Sequence, residues 1–477
     1  MTSDGRSIRT QDNLLVKALP KLLAKIGLLD EKRGTEAFSL AWPIILSGGL
    51  RVGLRLTDFL MVGFAIGAAG VAALGFGFQF FFIGFALSLA ISSGTISLVS
   101  QHHGAGEYEK ADFVIKQSIW LAVIISLPLM LITWFHAEGM IALLSSDPEV
   151  IELGGAYLRV LMIGLLFRFF SMVTARGFAG SGNTVTPMYV NAFGVPANVI
   201  LNWLLIFGIG ILPEYGIVGA ALGTLITNVS MAVILFVLLF SGRYNVGFTL
   251  GGKQWDNSVV KKLFTVSLPL LGMRMARTLG QFPFLWMLDS FGTGVVAAYQ
   301  IGRRVELFAM EPAWGFGTAA STLVGQSLGA DQEDEAELYG WDTLKISISV
   351  MLPIGFVLAL FAGPISGLFT DEPGVIFTST QFIYINAIGV LGYAINRIMR
   401  GALRGAGDTL WPFLGNMVGF YGWLLPVSYI FAIVLDFGLL AIFVALLGSF
   451  FIPALINLAR FKSGRWKAVS RKLRGVE

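Results

Sequence analysis

About twelve stretches of roughly 20 mainly apolar residues follow one another along this chain, and each is long enough to cross a bilayer as a helix. Charged residues make up only 13% of the 477 residues, half of the roughly 25% usual in soluble chains. The chain therefore reads as a polytopic membrane protein. The apolar runs predict helices over 38–66, 71–99, 115–136, 156–178, 185–209 and 216–241, then over 262–290, 295–324, 341–364, 378–402, 410–435 and 437–460. No cysteine is present, which excludes disulfides, thiol catalysis and Cys-based metal sites. The three histidines, His102, His103 and His136, form no ligand cluster in the sequence. The net charge of +4 reflects basic flanks rather than a nucleic-acid partner.

The loops set the orientation. With a cytoplasmic N-terminus the external loops are Gly67–Gly70, Ala137–Gly155, Gly210–Tyr215, Phe291–Gly294, Pro364–Ser379 and Asp436, and none holds a Lys or Arg. The tail after the final run carries Arg460, Lys462, Arg465, Lys467, Arg471, Lys472 and Arg474. The positive-inside rule then places both termini in the cytoplasm; a multi-pass protein of the plasma (inner) membrane is expected. The segment before the first run, residues 1–36, lacks the layout of a signal peptide. Within it Lys17, Lys21 and Lys25 recur every four residues among apolar neighbours, the pattern of a basic helix lying on the membrane surface; Pro20 interrupts it and keeps a plain tail open.

An offset of 225 residues brings up repeated motifs. VAALG at Val71 meets VAAYQ at Val296, and TISLVSQHHGA ending at Ala105 meets STLVGQSLGA ending at Ala330. LLSSDPEV ending at Val150 meets LFTDEPGV ending at Val375, and AGSGNTVTPMYVN ending at Asn191 meets RGAGDTLWPFLGN ending at Asn416. The expected fold is an all-α membrane protein with twelve transmembrane helices in two six-helix lobes, related by a pseudo-twofold along the membrane normal. The expected domains are a tail over 1–36, an N-lobe over 37–241, a cytoplasmic linker over 242–261, a C-lobe over 262–460 and a basic tail over 461–477.

Charge inside an apolar helix is costly and marks function by default. Arg51, Arg55 and Asp58 share one stripe of the first helix at spacing i, i+4, i+7. Asp58 lies about eight residues, or roughly 12 Å, from the external end of its helix. Asn202 and Thr224 fall at similar depth on the fifth and sixth helices, with Asn198 one turn deeper. Oxygen donors at one depth suit a hard cation, or water around a protonating carboxyl. Two readings of Asp58 stand: coupling residue, or salt-bridge partner of Arg55. Asn191, Thr227 and Asn228 read as helix-to-helix hydrogen-bonding groups. In the second half Arg274, Arg277 and Asp289 lie on the seventh helix, and Arg303, Arg304, Glu306 and Glu311 on the eighth. Glu306, near mid-membrane, either pairs with Arg303 or faces the cavity. Arg51, Arg55, Arg277 and Glu306 are candidate cavity residues, with Arg51 and Arg277 expected to shift substrates toward zwitterions or anions. The acidic loops GAGEYEKAD and GADQEDEAELYG read as solvated caps.

The repeated motifs resemble the multidrug and toxic compound extrusion (MATE) family, prokaryotic type. The residues that carry the resemblance are AWP at Ala41, VAALG at Val71, LRGAGDT from Leu403 and the stretch GRRVELFAMEPAWGFGTAASTLVGQ from Gly302. The resemblance covers about residues 38–460. It implies a secondary active exporter of cationic or amphipathic organic compounds, with lobes forming a V around a central cavity. Inward H⁺ or Na⁺ is its coupling ion, with no other cofactor. It also implies a coupling site of Asp58, Asn198, Asn202 and Thr224, with Asp58, Asn198 and Thr224 as ligands where the ion is Na⁺. Asn202 stands where the family places an Asp, which lowers the site's charge and favours H⁺. No P-loop or HExxH motif is present, and no catalytic motif stands in a membrane-facing position, so the chain is not expected to be an enzyme. Expected partners are a small organic substrate and the bilayer, with the protein a monomer. The rival reading is a flippase or exporter of a lipid-linked or anionic metabolite on the same two-lobe plan.

Overall fold

The computed structural model describes residues 14–210 and 213–475, and among these the side chains of all but 14–16, 51–56, 58–60 and 68. The described residues are helical throughout, with no strand. In chain order the helices are α1 (Leu14–Lys25), α2 (Glu31–Ile66), α3 (Ala68–Gly104), α4 (Tyr108–Ala142), α5 (Pro148–Gly180), α6 (Val185–Phe207) and α7 (Gly216–Phe240). They continue with α8 (Asn257–Asp289), α9 (Thr293–Ala309), α10 (Glu311–Gly329), α11 (Glu333–Leu360), α12 (Ala362–Gly367), α13 (Pro373–Gly405) and α14 (Leu410–Met417). The last are α15 (Leu425–Val427), α16 (Leu439–Lys462) and α17 (Arg465–Arg474). Nine spans among the described residues are long and apolar enough to cross a membrane.

Three of the expected helices are irregular. The run 341–364 ends as α11 at Leu360 and restarts as the short α12 at Ala362. The run 295–324 is not one helix: it breaks at Met310 into α9 and α10. Pro312 is the cause, because it has no N–H and its ring collides with the carbonyl four residues earlier. Met310 closes the first helix by donating its N–H to Glu306 O. The run 410–435 leaves the α-helix after Met417. It winds as π-helix over Val418–Leu424 and again over Ser428–Val434, on either side of the short α15. Pro426 sits between the two wide segments and offers no N–H to an α-helical ladder.

The chain packs as two compact units. Unit 1 is built from Leu46–His103 and Glu107–Phe264. Its core joins Leu74 and Phe81 of α3, Ile141 of α4, Leu158, Leu161 and Leu165 of α5, Ile206 of α6 and Ile217 of α7. The connector after α7 is docked on α4 rather than loose. Lys116 Nζ donates to Gly251 O and Gln117 Nε2 to Gln254 O, while Asp112 accepts from the Gly247 N–H.

Unit 2 holds Thr265–Glu477 together with Gly104–Gly106 and the described part of Ser7–Ile45. The packing thus places residues 37–45 with unit 2. α13 lies at its centre, against α9, α10, α11, α12 and α16. Small residues let α10 and α13 touch backbone to backbone: a Cβ on Gly401 would overlap Gly317 O. Arg404 on α13 ties the same seam, donating to Ser321 Oγ and Gly317 O. Leu23 and Leu29 bury the apolar side of the first segment in this unit's core. Arg33 Nε meets Asp342 Oδ2 at 2.7 Å, and the Tyr339 hydroxyl donates to Glu36.

The acidic stretch after α10 is paired, not simply solvated. Arg474 reaches Asp331 at 2.7 Å, Arg471 reaches Glu333 at 3.3 Å, and Lys467 reaches Glu337 at 2.9 Å. Under these pairs Trp466 is fully buried, stacked on Phe461 at 4.9 Å between centroids, and its Nε1–H donates to Phe461 O. Burial rather than surface charge should hold α17. Trp466→Ala is expected to cost about 3–5 kcal/mol, read as a fall in apparent melting temperature in detergent. Arg471→Ala is expected to cost less than about 1 kcal/mol in the same assay.

Candidate functional site

In unit 1 a chain of polar side chains bridges α6 and α7. Asn202 Nδ2 donates to Asn198 Oδ1 at 3.3 Å, one turn below it. Asn198 Nδ2 donates across to Thr227 Oγ1 at 3.4 Å, and the Thr227 hydroxyl donates to Gly223 O at 2.8 Å. All three side chains are buried, Asn202 completely. Glycines set the closeness of the two helices. Gly219 and Gly223 lie one turn apart on α7, and a Cβ on Gly223 would overlap Asn202 Oδ1.

The sequence candidates divide around this chain. Asn198 and Asn202 are joined. Thr224 is half-buried on α7, and among the described residues no hydrogen bond links it to them; the hydroxyl that meets Asn198 belongs to Thr227. Asn191 turns back on its own helix and donates to Pro187 O. Arg51, Arg55 and Asp58 fall within α2, and their side chains lie outside the described residues. No group of three or more His, Cys, Asp or Glu side chains capable of holding a metal occurs among the described residues.

Unit 2 encloses a second polar place, a cavity of about 160 Å³. Helical spacing supplies its charges. α8 presents Arg274 and Arg277 at i, i+3, α9 presents Arg303 and Glu306 at i, i+3, and α13 presents Arg397 and Arg400 at i, i+3. Five guanidiniums thus face one carboxylate. Glu306 is the shared counter-charge: Arg303 Nη1 lies 3.4 Å from its Oε2, and Arg277 Nη2 lies 4.0 Å from its Oε1. Both sequence readings of Glu306 meet here, since it pairs with Arg303 and lines the cavity. Trp314, on the first turn of α10, offers its ring to Arg397, whose Cζ sits 3.4 Å from the ring centroid. Arg274 approaches the same ring at 5.8 Å. Arg400 Nη1 faces Met273 Sδ at 3.5 Å, a weak acceptor. Phe420 and Leu424 reach the cavity from the first π-helical stretch, and Phe284 and Phe450 complete an apolar wall.

Arg277 and Glu306, expected at a cavity from the sequence, line this one, and Arg397, Arg400 and Trp314 join them unannounced. The two arginines carried a sequence signal: Arg397, Arg400 and Arg404 form a basic stripe at i, i+3, i+7 on a largely apolar helix. Arg304 and Asp289 are exposed and take no part in the cavity.

The MatE family model matches this chain twice, over residues 43–204 and again over 269–430. The chain belongs to the MatE family. The paired matches agree with the internal repeat read from the motifs. A probable multidrug resistance protein NorM from Thermotoga maritima is 25% identical over 436 residues, covering 91% of this chain and 93% of its own. A probable multidrug resistance protein YoeA from Bacillus subtilis is 23% identical over 421 residues, covering 87% and 90%. Among solved structures, an outward-facing MATE family transporter superposes with a TM-score of 0.85 at 20% identity, covering 98% of this chain and all of its own. A MOP superfamily transporter from Pyrococcus furiosus, described by a reverse polarity of its binding pocket that suggests a different function, gives 0.84 at 20% identity, covering 98% and 99%. These likenesses establish the fold of a multi-pass membrane transporter.

The tight α6–α7 seam gives a direct test. Gly223→Ala is expected to push the Asn202 amide out of place and cost about 1–3 kcal/mol, read as a lower apparent melting temperature. Val237→Ala, at an exposed position of α7 outside the polar chain, is the control and should shift it little.

Proposed function

We propose that this protein is a secondary active exporter of organic amphipathic compounds, driven by inward H⁺ or Na⁺ and working by alternating access. The observation that carries this reading is the buried chain Asn202–Asn198–Thr227 between α6 and α7. Amides and a hydroxyl sequestered at one place on two helices can order water around a carboxyl, or give carbonyl oxygens to a cation. Asp58 on α2 is the acid assigned to that role, with Asn198, Asn202 and either Thr224 or Thr227 supplying oxygens. The relatives' description as multidrug resistance proteins supports export of several small organic substrates.

The coupling works through unequal preference. The ion must favour one conformation and the substrate another, because a ligand that binds both equally shifts nothing. Uptake of a proton or Na⁺ at the Asp58 site would change the charge inside unit 1 and thereby bias one packing of its helices over another. Asn202 in place of a second acid leaves Asp58 as the only formal negative charge in the set, which favours H⁺ as the ion. The architecture proposed with this mechanism is twelve membrane helices in two lobes related by a pseudo-twofold along the membrane normal. Both termini lie in the cytoplasm, and the transporter acts as a monomer in the plasma membrane without enzymatic activity.

A second reading, an exporter or flippase of a lipid-linked or anionic metabolite, is favoured by the five arginines of the unit 2 cavity. The test of coupling is proteoliposome transport with Na⁺ and pH gradients imposed separately. Wild-type protein is expected to export under a pH gradient, and Asp58→Asn to lose gradient-driven export while eluting as a single folded species. Undiminished coupled export by Asp58→Asn would remove Asp58 from the mechanism.

A further inference from the structure

Within the reading of this protein as an exporter, we infer that the unit 2 cavity binds an amphiphile with an anionic head group, and that Glu306 is the built-in counter-anion this head group displaces. Arg274, Arg277, Arg303, Arg397 and Arg400 converge on a space that Glu306 alone lines with negative charge among the described residues. Arginine does not escape burial by losing its proton, so a surplus of guanidiniums must be compensated from outside their own number. Glu306 is held at 3.4 Å by Arg303 and at 4.0 Å by Arg277. A carboxylate fixed between two guanidiniums has the geometry of a bound anionic ligand, but it is tethered to α9. Its contacts are long for charge-assisted hydrogen bonds, which close to about 2.7–2.9 Å when optimal. A free anion able to settle between the same groups would make shorter ones.

The other arginines are posed for the same task. Trp314 covers the face of Arg397, whose Cζ sits 3.4 Å from the ring centroid, and so fixes that guanidinium at the cavity wall. Arg400 faces the soft sulfur of Met273, which an oxyanion outcompetes as acceptor. Beside this basic centre Phe284, Phe420, Leu446 and Phe450 form an apolar part of the wall, and Gln281 and Asn416 are among its polar neighbours. A compact anionic head with an apolar body matches both parts, whereas an organic cation meets five arginines and one carboxylate among the described lining residues.

The experiment uses the full chain in phosphatidylcholine nanodiscs, without any gradient, and two dyes of the same body and opposite charge, dansyl taurine and dansylcholine. Dansyl taurine is expected to bind wild type and dansylcholine to bind at least tenfold more weakly. Arg277→Met with Arg400→Met should lower dansyl taurine affinity tenfold or more. Arg277→Lys with Arg400→Lys, which keeps the charge, should retain part of it and serves where the methionine variant fails to fold. Glu306→Gln should tighten dansyl taurine severalfold. Displacement of the dye by phosphatidylglycerol would assign the natural occupant to lipid head groups, and displacement by inorganic phosphate to a soluble anion. Preference for dansylcholine, or unchanged dansyl taurine binding in the double methionine variant, would overturn the assignment. Weaker binding by Glu306→Gln would overturn the displaced counter-anion. Anion binding without gradient-driven export would instead defeat the exporter reading and leave the site standing.

Discussion

Hydrocarbon supplies no hydrogen bonds, so each polar side chain on these helices has to find its partner inside the protein. That constraint organises both units. In unit 1 it is met by neutral groups: two asparagines and a threonine hydrogen-bond in a chain across α6 and α7, where glycine lets the helices come close. In unit 2 it is met by charge, an indole ring and sulfur: one glutamate serves two arginines, Trp314 covers another, and Met273 faces a fourth. The first arrangement carries no formal charge of its own. The second leaves positive charge in excess, and an excess of that kind is chemical information about what enters.

The helix break at Met310 and the π-helical stretches gain meaning against this background. Ending α9 at Ala309 lets α10 restart at Glu311 with Trp314 on its first turn, beside the cavity. The wide turns of Val418–Leu424 bring Phe420 and Leu424 to the same wall. Both irregularities accompany prolines, and both sit where the cavity is built. Regular helices in the same places would present different faces.

Much of this was readable in the sequence, because the largest energetic term is also the simplest to see. Long apolar runs place α3 to α7, α11, α13 and α16 within a few residues to a turn or two of their ends, and the repeated motifs anticipate the two family matches. The irregular elements were not read, for a physical reason. Pro312 and Pro426 are visible as letters, yet whether a proline kinks, breaks or widens a helix depends on what its neighbours pack against. The site shows the same limit. Asn198 and Asn202 were legible from their one-turn spacing, whereas Thr224 and Thr227 lie less than one turn apart and only the α6–α7 packing decides which reaches the amide. Arg397 and Arg400 were legible as a basic stripe, but their meaning depends on Trp314 and Glu306, which come from other helices.

The two ends of the chain have a bearing on the order in which the protein can assemble. Unit 1 takes its packed residues from one continuous middle stretch, ending at Phe264, interrupted by three residues. Unit 2 draws Leu23 and Leu29 from the start of the chain and Trp466 from its finish into one core. During synthesis the first helices must therefore wait, with their apolar partners still unmade, while unit 1 emerges and settles. Only when α17 leaves the ribosome can its basic face meet the acids of 331–337 and its tryptophan cover Phe461. α17 is made long after Leu23 and Leu29, and its Trp466 completes the core to which they already belong.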